Sequence, residues 1–333
     1  MLEIALLLLI IIIALVFDYT NGAHDTGNVI ATVIATRALT PKQAVVMASL
    51  LNFAGAMVGN KVALTVGTGI LSTNLIMNCK LLVLAALLGA IFWNVLTWIL
   101  GLPSSSSHAL VGGVIGAGVV YGGWGTLEYV SIFWKVIVPI FASPLAGFIV
   151  GYFATLGLAW GCTKMKPKPA NRAFRKLQIL SSSVMAFSHG MNDAQKTMGI
   201  IAVVLFKNGY LCSTFYIPYW VEFACYLVIA LGTMSGGWRI VKTMGTKITK
   251  LQPMGGFCAE TAAAISIIGA SVAGIPVSTT HTITGAIMGV GSTKRLTAVR
   301  WGIAGNIIWA WVLTIPISAQ ISAFIYLFLT AFG

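Results

Sequence analysis

Residues 81–100 and 303–325 run without a single charged side chain. About 20 such residues in helical form cover the hydrocarbon thickness of a bilayer. Inside hydrocarbon every backbone N–H and C=O needs an internal partner, so spanning segments are restricted to helices or a closed barrel. Barrel strands would show as alternating segments of roughly ten residues, and the sequence has none. Composition agrees: 58% of the chain is hydrophobic and only 8% is charged, against roughly 25% charged in soluble domains. The fold class expected is therefore all-α, a polytopic membrane protein whose first partner is the lipid bilayer. The 36 glycines suit close helix packing in such a protein.

The formal charge of +13 does not point to nucleic acid. Its basic residues are gathered between apolar segments: Lys164, Lys166, Lys168, Arg172, Arg175 and Lys176; then Arg239, Lys242, Lys247 and Lys250; then Lys294, Arg295 and Arg300. Such clusters mark cytoplasmic loops, and no soluble module with stacking aromatics accompanies them. Cys79, Cys162, Cys212, Cys225 and Cys258 lack metal-ligand spacing. The first apolar run, Ile4 to Phe17, has neither a basic leader nor a small-residue cleavage site, so it reads as a retained helix. Trp124, Trp134, Trp220 and Trp238 read as interface anchors.

Two polar phrases interrupt the apolar sequence, each once per half and in the same order. Gly22-Ala23-His24-Asp25 returns as Gly190-Met191-Asn192-Asp193, and Gly101-Leu102-Pro103-Ser104-Ser105-Ser106-Ser107-His108 returns as Gly274-Ile275-Pro276-Val277-Ser278-Thr279-Thr280-His281. The division expected is a first repeat over 1–160, a basic cytoplasmic linker over 161–178 carrying Pro167 and Pro169, and a second repeat over 179–333. Residues 81–121 and 257–292 read as re-entrant helical hairpins with Ser/Thr-rich tips at depth, because the limb 108–121 is too short to span. Residues 1–36 and 179–206 read as helices broken near Asn21-Gly22 and His189-Gly190. With the N-terminus outside, this model puts most Lys and Arg inside, as the positive-inside rule requires. The halves are then inverted-topology repeats in the cell (inner) membrane, with both termini outside.

A helix interrupted at depth exposes N–H groups that attract anions and C=O groups that suit a hard cation such as Na⁺. Asp25 and Asp193 are candidate cation ligands, with Asn21, Asn28 and Asn192 able to add carbonyl oxygens. A buried Asp that caps the following half-helix gives the same pattern, and the two roles coexist. The hydroxyls at Ser104–Ser107 and Ser278–Thr280 precede helices and offer an oxyanion cradle without fixed positive charge; helix capping is the plainer role for them. His108 and His281 follow the hydroxyls and are candidates to bond the anion, carry a proton or simply pack. His24 and His189 sit beside the acidic phrases on similar terms. Lys196, three residues after Asp193, either pairs with that carboxylate or touches the anion. Glu260 is a further candidate at the cation site, whereas Glu222 reads as a structural partner.

The four ordered phrases resemble the PiT family of inorganic phosphate transporters, whose break phrase is similar to Gly22–Asn28 and 190–196 and whose hairpin phrase is closely similar to 274–281 and more loosely to 101–108. The resemblance covers essentially the whole chain. It implies a secondary active transporter, not an enzyme and without cofactor, that imports phosphate with Na⁺ as coupling ion, H⁺ being the alternative. It puts phosphate at Ser105, Ser106, Ser107, Ser278, Thr279 and Thr280. It puts Na⁺ near Asp25, Asn28, Asp193 and Glu260. Two departures stand out: His24 replaces the usual Asn, and Lys196 occupies the slot of Asn28.

The dianion HPO₄²⁻ moving into a negative interior costs roughly 2.3 kcal/mol per charge per 100 mV, so at least two cations per phosphate are expected. Assembly of several copies is left open by the sequence. Sulfate is the nearest competing substrate. An anion channel would keep conducting after Asp25→Asn and Asp193→Asn, and an intramembrane Ser/His enzyme lacks the Gly-x-Ser-x-Gly elbow.

Overall fold

The structure, a computed structural model, describes residues 2–65, 80–211, 215–275 and 277–332. Cys79, Cys212 and Pro276, singled out above, lie outside the described residues. The described chain is helical throughout, in twelve helices: α1 (Leu2–Ala35), α2 (Pro41–Ala56), α3 (Lys61–Thr65), α4 (Lys80–Leu100), α5 (Ser106–Gly122), α6 (Tyr129–Gly161), α7 (Pro167–Lys207), α8 (Tyr219–Ser235), α9 (Trp238–Lys247), α10 (Pro253–Val272), α11 (Thr279–Ser292) and α12 (Trp301–Phe332). Five are long and apolar enough to cross a membrane, six if the bent pair α8 and α9 counts as one span.

Two expectations about helix continuity are corrected. α1 and α7 run unbroken through Asn21-Gly22 and His189-Gly190. A glycine inside a helix costs about 1 kcal/mol relative to alanine and does not end it. An open break in hydrocarbon would leave backbone groups without partners. The motif glycines serve packing instead. A methyl group at Gly22 would overlap the Ile229 carbonyl of α8, and one at Gly190 the Asn52 carbonyl of α2. The breaks lie in those partner helices. α8 turns by 60° into α9 at Gly236-Gly237, with Gly236 at φ +71. α2 gives way to α3 through Gly59, φ +81, and Gln195 Oε1 accepts from the buried Val62 and Ala63 N–H groups at the start of α3. The basic stretch 161–178 is also largely helical, because Pro167 sits at the first turn of α7, where its missing N–H costs nothing.

Both hairpins are present, as α4 with α5 and α10 with α11. α4 has 21 residues and α10 has 20, about 30 Å at 1.5 Å per residue. The turns after them are at Gly101 (φ +68) and Gly274 (φ +72), and the chain doubles back before α5 and α11 begin. Each turn meets a cation from the other half: the Arg239 guanidinium donates to the Ile99 carbonyl, and Lys61 Nζ to the Val272 carbonyl at 3.3 Å. Cations complement the carbonyl ends of helices.

The halves interlock. α4 and α5 pack on α12, whereas α10 and α11 pack on α6. Likewise α1 packs on α8, and α7 on α2. Of the apolar clusters that result, the two largest join Ile10, Phe17, Leu87, Ile201 and Ile229, and Ile30, Met185, Ile240, Ala263 and Ile287. The polar residues of α1 and α7 fall between them along both helices. Large apolar side chains of α6 and α12, such as Phe141, Phe153, Trp309 and Phe324, are exposed, as lipid contact requires. Gly190→Val should destabilise the protein by about 1–3 kcal/mol through overpacking, whereas Gly157→Val, with open space around it, should not. Melting curves of the detergent-solubilised variants test this; equal midpoints would refute the packing role of Gly190.

Candidate functional site

On α1 the polar residues Asp18, Asn21, Asp25, Asn28 and Thr32 recur every three or four positions, so they share one face. α7 presents Gln178, Ser181, His189, Asn192, Asp193 and Lys196. Where these helices meet, Asp25, His189 and Asp193 offer ligand atoms that all lie within 4.8 Å of one another, each side chain buried. His189 Nε2 is 3.2 Å from Asp193 Oδ2 and 3.7 Å from Asp25 Oδ2. Its other ring nitrogen is 3.1 Å from Asn52 Oδ1, and Asn52 in turn donates to Thr233. The ring is thereby held by α2 and α8.

The hairpins bring hydroxyls to the same place. Thr279 Oγ1 donates to Asp25 Oδ2 at 3.5 Å and to Asp193 Oδ2 at 3.4 Å. Thr280 Oγ1 donates to Asp25 Oδ1 at 3.4 Å and accepts from Asn28 Nδ2 at 2.8 Å. Lys196 Nζ is 2.6 Å from Asp193 Oδ1 and 2.6 Å from Ser107 Oγ. His24 Nδ1 is 2.8 Å from Asp25 Oδ1, while its Nε2 faces Thr97 Oγ1 (3.1 Å) and Ser104 Oγ (3.3 Å). All these groups are buried except Ser107, which is partly exposed.

Other expected residues occupy different places. Ser105 and Ser278 are N-caps, accepting from the His108 and His281 N–H groups at 3.4 and 3.3 Å. The Ser106 hydroxyl is buried with no partner among the described residues. His108 and His281 face each other with ring centroids 4.8 Å apart, and His281 stacks on Trp311 at 4.1 Å. They join the bases of α5 and α11 behind the hydroxyls. Asn192 donates to Ser271 (2.9 Å), and Asn21 Oδ1 lacks a partner among the described residues. Glu260 is not part of the aspartate cluster. It is fully buried on α10 and accepts from Ser181 (2.5 Å), Gln178 (3.2 Å) and Thr32. Thr32 lies two helical turns from Asp25, about 10 Å along α1.

Two residues carry more of the site than sequence reasoning gave them. His189 bridges the aspartates, and only its place four residues before Asp193 signalled this. Asp18 was missed. It is fully buried and accepts from Thr197 (2.9 Å), and its Oδ2 has no partner among the described residues. The three- and four-residue spacing of the α1 stripe was the available signal.

Fold and site together define a polytopic α-helical membrane protein with paired carboxylates and hydroxyls gathered at its centre. The sequence pattern of the Phosphate transporter family matches this chain twice, over residues 21–170 and 162–322. A probable low-affinity inorganic phosphate transporter of Rhizobium meliloti (strain 1021) is 52% identical over 322 residues, 96% of each chain. One of the same description from Bacillus subtilis (strain 168) is 42% identical over 329 residues, 97% of each chain. A solved structure titled as the sodium-dependent phosphate transporter superposes with a TM-score of 0.83 at 27% identity, covering 98% of this chain and 99% of that one. The chain belongs to the phosphate transporter family, whose members are transporters and not enzymes. Ser105→Ala and Ser278→Ala should each lower stability by the roughly 0.5–2 kcal/mol of a lost cap, whereas Ser106→Ala should not. Thermal melting in detergent decides; a larger loss for Ser106→Ala would contradict these assignments.

Proposed function

We propose that the protein imports inorganic phosphate by cation symport, with Na⁺ as the preferred coupling ion, through alternating access. The observation that carries this is Thr279 Oγ1 lying within hydrogen-bond reach of both Asp25 and Asp193: the candidate cation ligands and the candidate oxyanion cradle occupy one place. Two carboxylates already sit there, and a dianion would add to the repulsion. Among the described residues, Lys196 alone supplies permanent positive charge at short range. Binding of the anion then needs mobile cations, which is coupling in its simplest form. The sodium-dependent title of the superposed structure supports the choice of ion.

In this reading Asp25, Asn28, Asp193, Asn192 and Asn21 serve Na⁺. Ser105, Ser106, Ser107, Ser278, Thr279 and Thr280 serve phosphate, backed by His108 and His281. Glu260, in its own cage of hydroxyls and amide, is a further cation position on the route. The units 1–160 and 179–333 are inverted repeats joined through 161–178, and the double family match supports that division. The hairpins move against α6 and α12, the long helices that clasp them. The chain sits in the cell membrane with the basic 161–178 stretch in the cytoplasm and both termini outside.

One contact favours proton coupling as a second reading: His24, in place of the family's Asn, lies 2.8 Å from Asp25. Phosphate uptake into proteoliposomes under imposed gradients separates the two. Uptake driven by Na⁺ is expected, with Asp25→Asn and Asp193→Asn each reducing it at least 100-fold, about 2.7 kcal/mol at 1.36 kcal/mol per decade. Uptake driven by a proton gradient alone would overturn the sodium assignment, and competition by excess sulfate would overturn phosphate selectivity. Impermeant thiol labelling of Lys164→Cys and Phe332→Cys should find them on opposite faces; labelling from one face would refute the inverted topology.

A further inference from the structure

Lys196 stands in α7 where Asn28 stands in α1, three residues beyond the motif aspartate of its half. The two side chains do different work. Asn28 donates an amide N–H to Thr280 Oγ1 at 2.8 Å. Lys196 places its ammonium against three oxygens: Asp193 Oδ1 at 2.6 Å, Ser107 Oγ at 2.6 Å and the Val277 carbonyl at 3.2 Å. A carboxylate, a hydroxyl and a backbone carbonyl converging on one centre form the kind of oxygen shell that hard cations take. The ammonium is at the centre of that shell, with its residue 4% exposed. It ties α7 to the residues that open both α5 and α11.

The other half differs. Among the described residues Asp25 has no ammonium or guanidinium partner. His24, His189, Thr279 and Thr280 surround its two oxygens. The two aspartates therefore stand at matching positions, and one of them has a built-in cation.

We propose that the Lys196 ammonium is a tethered counter-ion, filling in the second half the place that a mobile coupling cation takes in the first. It lowers by one the number of free cations that phosphate binding requires. This rests on the cation-symport reading above. A tethered charge is present at every salt concentration and loses little translational freedom when the anion arrives. It also stays with the protein, so it helps binding and carries no gradient energy across the membrane. The transporter then couples fewer ions per phosphate than the charge of HPO₄²⁻ alone suggests, and it concentrates its substrate less steeply.

The test is the Na⁺ dependence of binding of labelled inorganic phosphate to the purified protein in lipid nanodiscs, with choline holding ionic strength constant. Lys196→Asn, which installs the residue of the other half, should need more Na⁺ for half-saturation. Its log–log slope of affinity against Na⁺ should exceed the wild-type slope by about one. Lys196→Arg keeps the charge and should keep the wild-type slope. A folded Lys196→Asn with an unchanged slope, or with no binding at any Na⁺ concentration, would overturn the inference. Lys196→Gln, with a longer amide, replaces Lys196→Asn if that variant does not fold, and the same rise in slope is expected. Should neither fold, dual-label uptake by the wild type decides: one Na⁺ per phosphate supports the tethered ion, and two or more refute it. A wild type indifferent to Na⁺ would remove the sodium reading alone, because the inference is read from the difference between variant and wild type.

Discussion

Asp25 and Asp193 are two carboxylates held within reach of one imidazole in the interior of a membrane protein. Unit charges 4 Å apart repel by about 4 kcal/mol even at an effective dielectric of 20, and each also loses its hydration. Much of the surrounding arrangement answers that pair. His189 lies between them. His24 faces one and Lys196 the other. Thr279 and Thr280 turn their hydroxyls toward both. The supporting groups are fixed in turn, His189 through Asn52 and Thr233, and His24 through Thr97 and Ser104. Positioned partners of this kind make a buried charge tolerable, because removing one leaves the other uncompensated.

The helices deliver these groups by exchanging partners between halves. α1 reaches the centre only because Gly22 lets it approach Ile229 of α8, and α7 because Gly190 lets it approach Asn52 of α2. Each hairpin is clasped by the long final helix of the other half, α5 by α12 and α11 by α6. Asn52 shows the economy of this: its carbonyl receives the Gly190 approach while its side chain orients His189. A small change in how the halves pack is therefore felt at the aspartates. The cations at the hairpin turns, Arg239 on the Ile99 carbonyl and Lys61 on the Val272 carbonyl, belong to the same exchange.

The hairpins and the central residues were legible because their signals are chemical and repeated: hydroxyl runs after Gly-x-Pro, and an acidic residue after Gly in otherwise apolar sequence. Helix continuity was not. Gly22 and Gly190 read alike as a break or as a close approach, and only the identity of the neighbouring backbone distinguishes the two. Sequence carries no record of Ile229 lying over Gly22. The true interruption at Gly236-Gly237 was disguised as the end of an apolar segment. Glu260 was found, but its separation from the aspartates was not legible, because its partners Thr32, Gln178 and Ser181 come from two helices distant in sequence. Asp18 escaped because it falls outside the repeated phrase, although its spacing from Asn21 and Asp25 puts it on the same face.

The cradle's chemistry also bears on turnover. Hydroxyl and amide donors give hydrogen bonds worth about 0.5–1.5 kcal/mol net each, and bonds to charged groups about 1.5–3. Among the described residues no arginine lines the centre, and the single ammonium is already shared between Asp193 and Ser107. An oxyanion there would compete with Asp193 for Lys196 and with both aspartates for Thr279, whereas the Ser106 hydroxyl, without a partner among the described residues, would be free to donate to it. In the proposed symport, the cations that accompany the anion would then set the sign of binding. A fixed arginine clamp would remove that dependence and hold the anion on both faces of the membrane alike, which is the opposite of what a carrier that must release its load requires.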